Sequence, residues 1–202
     1  YANKIIQALG SDKNKVIRVY SFDDLIIYLV LGIILGGRLG YVLFYNFTYY
    51  SQNIFEIFKL WNGGMSFHGG LLGVIISIII FSKKTNTNFF IYADIVSCVA
   101  PIGIFLGRIA NFIKGELYGK VSTLPWAIVF PKIDYMTRHP SQIYEAILEG
   151  LILFIVLNYY AIKKNLIFKA GYTSSLFLIL YSLARIFSEH FREADQHLGY
   201  IF

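Results

Sequence analysis

The sequence predicts an all-α polytopic membrane protein, a single helical bundle, on three observations. Hydrophobic residues make up 56% of the chain and charged residues only 15%, where soluble domains average about 25% charged. Mean hydropathy is +0.58, and the apolar residues gather in stretches of the length a helix needs to cross a bilayer, roughly 20 residues. Three arginines, Arg38, Arg108 and Arg185, each interrupt such a stretch. An ionisable group at membrane depth is costly to keep there, so it marks a functional site by default.

Five spans are expected within one integral membrane domain, residues 1–202. The first, 25–46, carries Arg38 in its later half. In the second, 67–82, the apolar run from Gly69 to Phe81 is short, so the helix is expected to begin in its glycine-rich flank, WNGGMSFHGGLLG from Trp61. Paired glycines bracket His68 there, and glycine permits tight turns and close approach of a second backbone or a ligand. The third span, 89–113, ends with Arg108 and Asn111 and runs on into Lys114, Glu116 and Gly119. The fourth, 141–162, follows Arg138, His139 and Pro140, a proline suited to a first helical turn, and sends Gln142, Tyr144, Glu145 and Glu149 down from that end. In the fifth, 171–190, Tyr181, Arg185 and Glu189 recur every fourth residue with Arg192 a further turn on. That spacing makes one polar stripe, which faces protein rather than lipid. The connections 47–66 and 114–140 are the longer loops.

Lysine placement orients the bundle. Lys4, Lys13, Lys15 and Arg18 precede the first span, Lys83 and Lys84 follow the second, and Lys163, Lys164 and Lys169 follow the fourth. By the positive-inside rule these ends are cytoplasmic and the two longer loops lie on the outer face. The spans bearing Arg38, Arg108 and Arg185 then all run outward, which puts the arginines about 5 to 12 Å below the outer helix ends at ~1.5 Å per residue. The net charge of +6 follows from this bias and from contact with anionic phospholipid, so nucleic acid is not an expected partner. Convergent cations in the outer leaflet suit a phosphate headgroup. The alternative is that each arginine snorkels or pairs with Glu145, Glu149 or Glu189 to tie helices together. The four histidines have no paired spacing, so no metal site is expected. The one cysteine, Cys98, excludes a disulfide within the chain and reads as a packed core thiol. No cleavable signal peptide is visible.

Five runs, in order, carry a resemblance: GGRLGYVLFYN from Gly36, GGMSFHGGLLGV from Gly63, GRIANFIKGELYG from Gly107, RHPSQIYEAILEG from Arg138 and YSLARIFSEHFREAD from Tyr181. Together they resemble the prolipoprotein diacylglyceryl transferases of bacteria, from Leu25 onward. The resemblance implies an enzyme of the cytoplasmic (inner) membrane whose active site faces the outer leaflet. It implies transfer of the diacylglyceryl group of phosphatidylglycerol to the thiol of the lipobox cysteine of a preprolipoprotein, with release of glycerol phosphate and no metal or dissociable cofactor. It also implies seven spans. The chain opens at Tyr1 without a methionine and stops at Phe202 as a new apolar pattern begins, so the first and last spans, with a tyrosine of the first, are expected to lie beyond it. Lys114 stands where the family usually has asparagine.

Carried onto this sequence, the motifs assign Arg108 and Arg185 to the lipid phosphate, arginine being favoured over lysine for bidentate pairing. His68 is the candidate base for the thiol, because histidine as a type titrates near neutrality. Asn111, Glu116, Gly119, Tyr181 and Glu189, with Arg38 and Arg192, would bind the lipid or orient those arginines. Two other classes compete. The echo between GRLGYVL from Gly37 and GRIANFI from Gly107 could mark the parallel repeat of a transporter, but it is short and the rest of the halves do not match. A passive scaffold would leave the buried arginines unexplained.

Overall fold

In lipid a backbone must satisfy its own polar groups, and the apolar stretches of this chain do so as helices in a computed structural model that describes residues 22–193. Helix α1 is Phe22–Phe44, a short α2 is Phe47–Gln52, α3 is Phe67–Thr85 and α4 is Phe89–Lys114. Helix α5 runs from Ser141 to Lys163 and α6 is Tyr172–Glu189. Of these, α1, α3, α4 and α5 are long and apolar enough to cross a membrane. Helix α6, the fifth expected span, has 18 residues and is less apolar than α1, α3 and α4, since Arg185, Glu189 and its serines dilute its hydropathy. The lysines and Arg18 before the first span lie outside the described residues.

The chain divides into two compact units between Ala93 and Asp94. In the first, α1 and α3 run antiparallel with their backbones in near contact. A Cβ on Gly73 would sit on the Gly32 carbonyl, one on Gly40 would fall 2.8 Å from Gly69 Cα, and one on Gly36 would meet the Gly69 carbonyl. Where lipid supplies no hydrophobic drive between helices, such close approach is the main source of association. Ser77 adds a hydrogen bond from its hydroxyl to the Tyr28 carbonyl at 2.7 Å. Ser66, which precedes α3, accepts from the Gly69 N–H at 3.3 Å as its N-cap.

In the second unit α5 has an unusual backbone. It is α-helical at Ser141–Glu145, π-helical at Ala146–Ile152, α-helical at Leu153–Asn158 and π-helical again at Tyr159–Lys163. Buried residues recur at every fourth position, Ser141, Glu145, Glu149, Leu153, Leu157 and Ala161, with Gln142, Ala146 and Gly150 buried beside the first three. At 3.6 residues per turn such a series drifts about 40° around the helix with each step. The wider π turns offset that drift, so the series stays on one protein-facing side. Gly150 lets α4 approach, since a Cβ there would lie 2.6 Å from Phe105 Cβ. At its other end, α6 is tied to α4 by Asp94, fully buried, whose carboxylate accepts from the backbone N–H groups of Gly171 and Ser174 at 2.7 Å each. An acid there satisfies two orphan donors of a helix N-terminus. Cys98 is buried with a free thiol.

Candidate active site

Tyr181, Arg185 and Ser188 lie along the inner side of α6, while Leu178, Ile179, Leu183 and Ile186 on its other side are about 60% exposed, as lipid-facing residues would be. Of the expected stripe, Tyr181 and Arg185 lie on this side and Arg185 meets the acidic residues of α5, whereas Glu189 is half exposed and Ser188 takes the buried place beside it. Arg108, two turns from the end of α4, places Nη1 3.0 Å from Glu145 Oε2 and Nη2 3.1 Å from Glu149 Oε2. Arg185 places Nη1 2.8 Å from Glu145 Oε1 and 3.6 Å from Glu149 Oε1, and pairs its Nη2 with Glu189. Both α5 carboxylates are fully buried, whereas the arginine side chains keep 17% and 26% exposure. An incoming group can thus touch the two cations, and Glu189 beside Arg185, but not Glu145 or Glu149. Tyr181 lies one turn before Arg185 on the same side of α6, and Arg192 Nη1 stands 4.0 Å from Glu189. Ser188 donates to Glu149 at 3.3 Å.

The segment after α4 frames this centre. Gly115 and Leu117 take positive φ values, 76° and 55°, which turn the chain sharply so that Glu116 and Gly119 come back over the start of α5. The Gln142 amide donates to the Glu116 carbonyl at 2.6 Å and Ser141 to the Leu117 carbonyl at 3.0 Å. Asn111 donates to the Glu116 carboxylate at 3.4 Å, and Lys114 sits 3.8 Å from it, both near the surface. Gly119 is wedged between His139 and the chain end of α6: its N–H donates to the His139 carbonyl at 3.1 Å, and a Cβ would fall 2.7 Å from the Phe191 carbonyl oxygen. Only glycine fits that gap. The rest of the connection is a two-stranded antiparallel ribbon, β1 Ile128–Val129 on β2 Thr137–Arg138. Arg138 fastens it, donating to Asp134, to Glu193 at 3.3 Å and to the Gly119 carbonyl at 3.1 Å. Hydrogen bonds from Arg138 hold the Asp134 carboxyl below the usual carboxylate range, and the same pairing raises the Arg138 guanidinium.

Arg38 and His68 belong to the first unit. Arg38 is 3% exposed and spends its guanidinium on backbone carbonyls, not on the substrate contact expected of it. Its Nε donates to the Ile57 carbonyl at 2.8 Å, Nη2 to those of Glu56 at 2.7 Å and Lys59 at 3.1 Å, and Nη1 to those of Gly63 and Gly64. Its guanidinium also lies 5.1 Å from the Tyr50 ring centroid. All five donors of the fork are thereby spent on the connection between α1 and α3. Gly63 and Gly64 present their carbonyls at φ of 75° and 82°, a conformation that explains the first glycine pair. His68 is exposed on the first turn of α3, its ring edge-to-face with Phe67 at 5.6 Å.

Sequence reading did not foresee that Glu145 and Glu149 are the hub of the cluster; it had them only as possible helix ties. Their spacing of four residues, matching Arg185 to Glu189, was the available signal.

Four helices long and apolar enough to cross a membrane, with an arginine–carboxylate cluster buried among them, define a multi-pass membrane protein. The sequence model of the family described as prolipoprotein diacylglyceryl transferase matches residues 3–201. A relative from Rickettsia bellii (strain OSU 85-389), named phosphatidylglycerol–prolipoprotein diacylglyceryl transferase, is 50% identical over the whole chain, which spans 75% of that relative. Relatives of the same name from Rickettsia felis, 50% identical over 201 residues and 76% of their length, and from Methylocella silvestris, 51% identical over 89% of this chain and 66% of theirs, agree. This chain belongs to the prolipoprotein diacylglyceryl transferase family.

Proposed function

We propose that this chain transfers the diacylglyceryl group of phosphatidylglycerol to the lipobox cysteine of preprolipoproteins, the first step of bacterial lipoprotein maturation, in the cytoplasmic membrane with its site toward the outer leaflet. The observation that carries the reading is the convergence of Arg108 and Arg185 on one pair of carboxylates, in a chain half identical along its length to relatives with that activity in their name.

The chemistry is a displacement at carbon. The thiol must lose its proton, since a free cysteine has a pKa of about 8.5, and the thiolate sulfur then forms a bond to the glycerol carbon as the carbon–oxygen bond to phosphate breaks. The bonding pair leaves with glycerol phosphate. Arg108 and Arg185 meet the phosphate oxygens, and their attraction grows as negative charge collects there. Tyr181 and Glu189, beside the two guanidiniums, fix their planes, and Arg192 completes the row. Asn111, Glu116 and Gly119 shape the turn against which the headgroup lies. His68, exposed on the first turn of α3, is the base that takes the thiol proton in this reading. Arg38 has a different part, ordering residues 56–64 of its own unit through its five carbonyl partners.

The test is reconstitution. Protein in vesicles containing phosphatidylglycerol, given a lipobox peptide, is expected to add the mass of one diacylglyceryl group at the cysteine. Vesicles of phosphatidylethanolamine alone should give none, and equal adduct in both, or none in either, would refute the reading.

A further inference from the structure

Each buried carboxylate of α5 gives one oxygen to each arginine. Glu145 faces Arg185 with Oε1 at 2.8 Å and Arg108 with Oε2 at 3.0 Å; Glu149 faces Arg185 with Oε1 at 3.6 Å and Arg108 with Oε2 at 3.1 Å. The four groups close a ring of alternating charge, with both anions fully buried beneath the partly exposed cations. Glu189 and Arg192 extend it by one charge of each sign. Each guanidinium is fixed by more than one oxygen, so its plane is held in one orientation. The cluster is also electrically balanced before any lipid arrives.

Balance matters because the reaction changes the charge of what the arginines hold. A thiol and a phosphodiester monoanion give a thioether, a phosphomonoester and a proton; the thiol proton passes to the base, and the monoester carries up to one more negative charge than the diester did. Unopposed arginines would therefore favour the product over the substrate and retain it. We infer that Glu145 and Glu149 are positioning residues that also govern product release. They aim both guanidiniums at the lipid phosphate, and their charges offset those guanidiniums so that glycerol phosphate leaves. The inference rests on the transferase reading above.

Charge and geometry can be separated by substitution. Glu145→Gln and Glu149→Gln keep shape but remove charge. In the reconstituted assay they are expected to lower the inhibition constant of added glycerol phosphate roughly tenfold, to lower KM for phosphatidylglycerol, and to lower kcat through slow release. Glu149→Asp keeps the charge but withdraws it by one methylene, so its product inhibition should match the unsubstituted protein while kcat/KM falls. Gln variants that lose activity with unchanged product inhibition would overturn the inference and leave the carboxylates as helix ties. So would failure of both the Gln and the Asp variants to accumulate in the membrane. Absence of adduct from the unsubstituted protein, seen before any variant is compared, would instead refute the transferase reading.

Discussion

Arg38 and Arg185 occupy similar places near the ends of their helices and spend their guanidiniums differently. Arg38 donates to five backbone carbonyls, while Arg185 faces three carboxylates. The sequence shows that both must be satisfied, because neither can sit bare in an apolar segment; it does not show by what. A carbonyl partner is invisible in a sequence, since every residue has one, whereas Glu145, Glu149 and Glu189 are visible as acids at helical spacing. His68 is the residue whose role is most exposed to test. If it removes the thiol proton, His68→Gln should still bind phosphatidylglycerol but transfer almost nothing at neutral pH. Its residual rate should climb as pH approaches the thiol's own pKa of about 8.5, because hydroxide then supplies the thiolate. A pH profile of adduct formation, set against bound lipid, measures both. Reduced lipid binding or yield with no recovery at high pH would move the base elsewhere.

At the scale of elements, the ends of the helices were legible to within a few residues, from hydropathy and from the glycine and proline punctuation. The backbone of α5 was not. Its surface is apolar on nearly all sides, so the four-residue period of buried positions is masked, and nothing in the composition distinguishes an α from a π turn. The sequence marks the glycines bracketing His68 as permissive of turns and close approach, and in the structure Gly69 and Gly73 of α3 pack on Gly32, Gly36 and Gly40 of α1, where a Cβ has no room. Gly73→Ala should therefore destabilise the helix pair by about 1–3 kcal/mol, the usual range for overpacking, as its Cβ meets the Gly32 carbonyl. Gly103→Ala in α4 is the control, because no atom lies within 4 Å of a Cβ there and helix propensity favours alanine by up to about 1 kcal/mol. Thermal unfolding in detergent compares the two. Equal midpoints would remove the close-packing explanation.

For the whole molecule, class and family were legible because they depend on features a sequence carries directly: apolar length and five ordered motifs. The carboxylate ring was not, because it is assembled from three helices far apart in the chain. The central claim is that Arg108 and Arg185 act through the planar fork and not through charge alone. The most direct measurement is the rate at which Arg108→Lys and Arg185→Lys form the diacylglyceryl adduct in phosphatidylglycerol vesicles, with glycerol phosphate release followed in parallel. Lysine keeps the charge but offers one nitrogen where each guanidinium bridges two carboxylates. Both products are expected to fall together by about 10²-fold or more in each variant, while phosphatidylglycerol remains bound. Turnover near that of the unsubstituted protein in either variant would contradict the claim and reduce that arginine to a tie between helices.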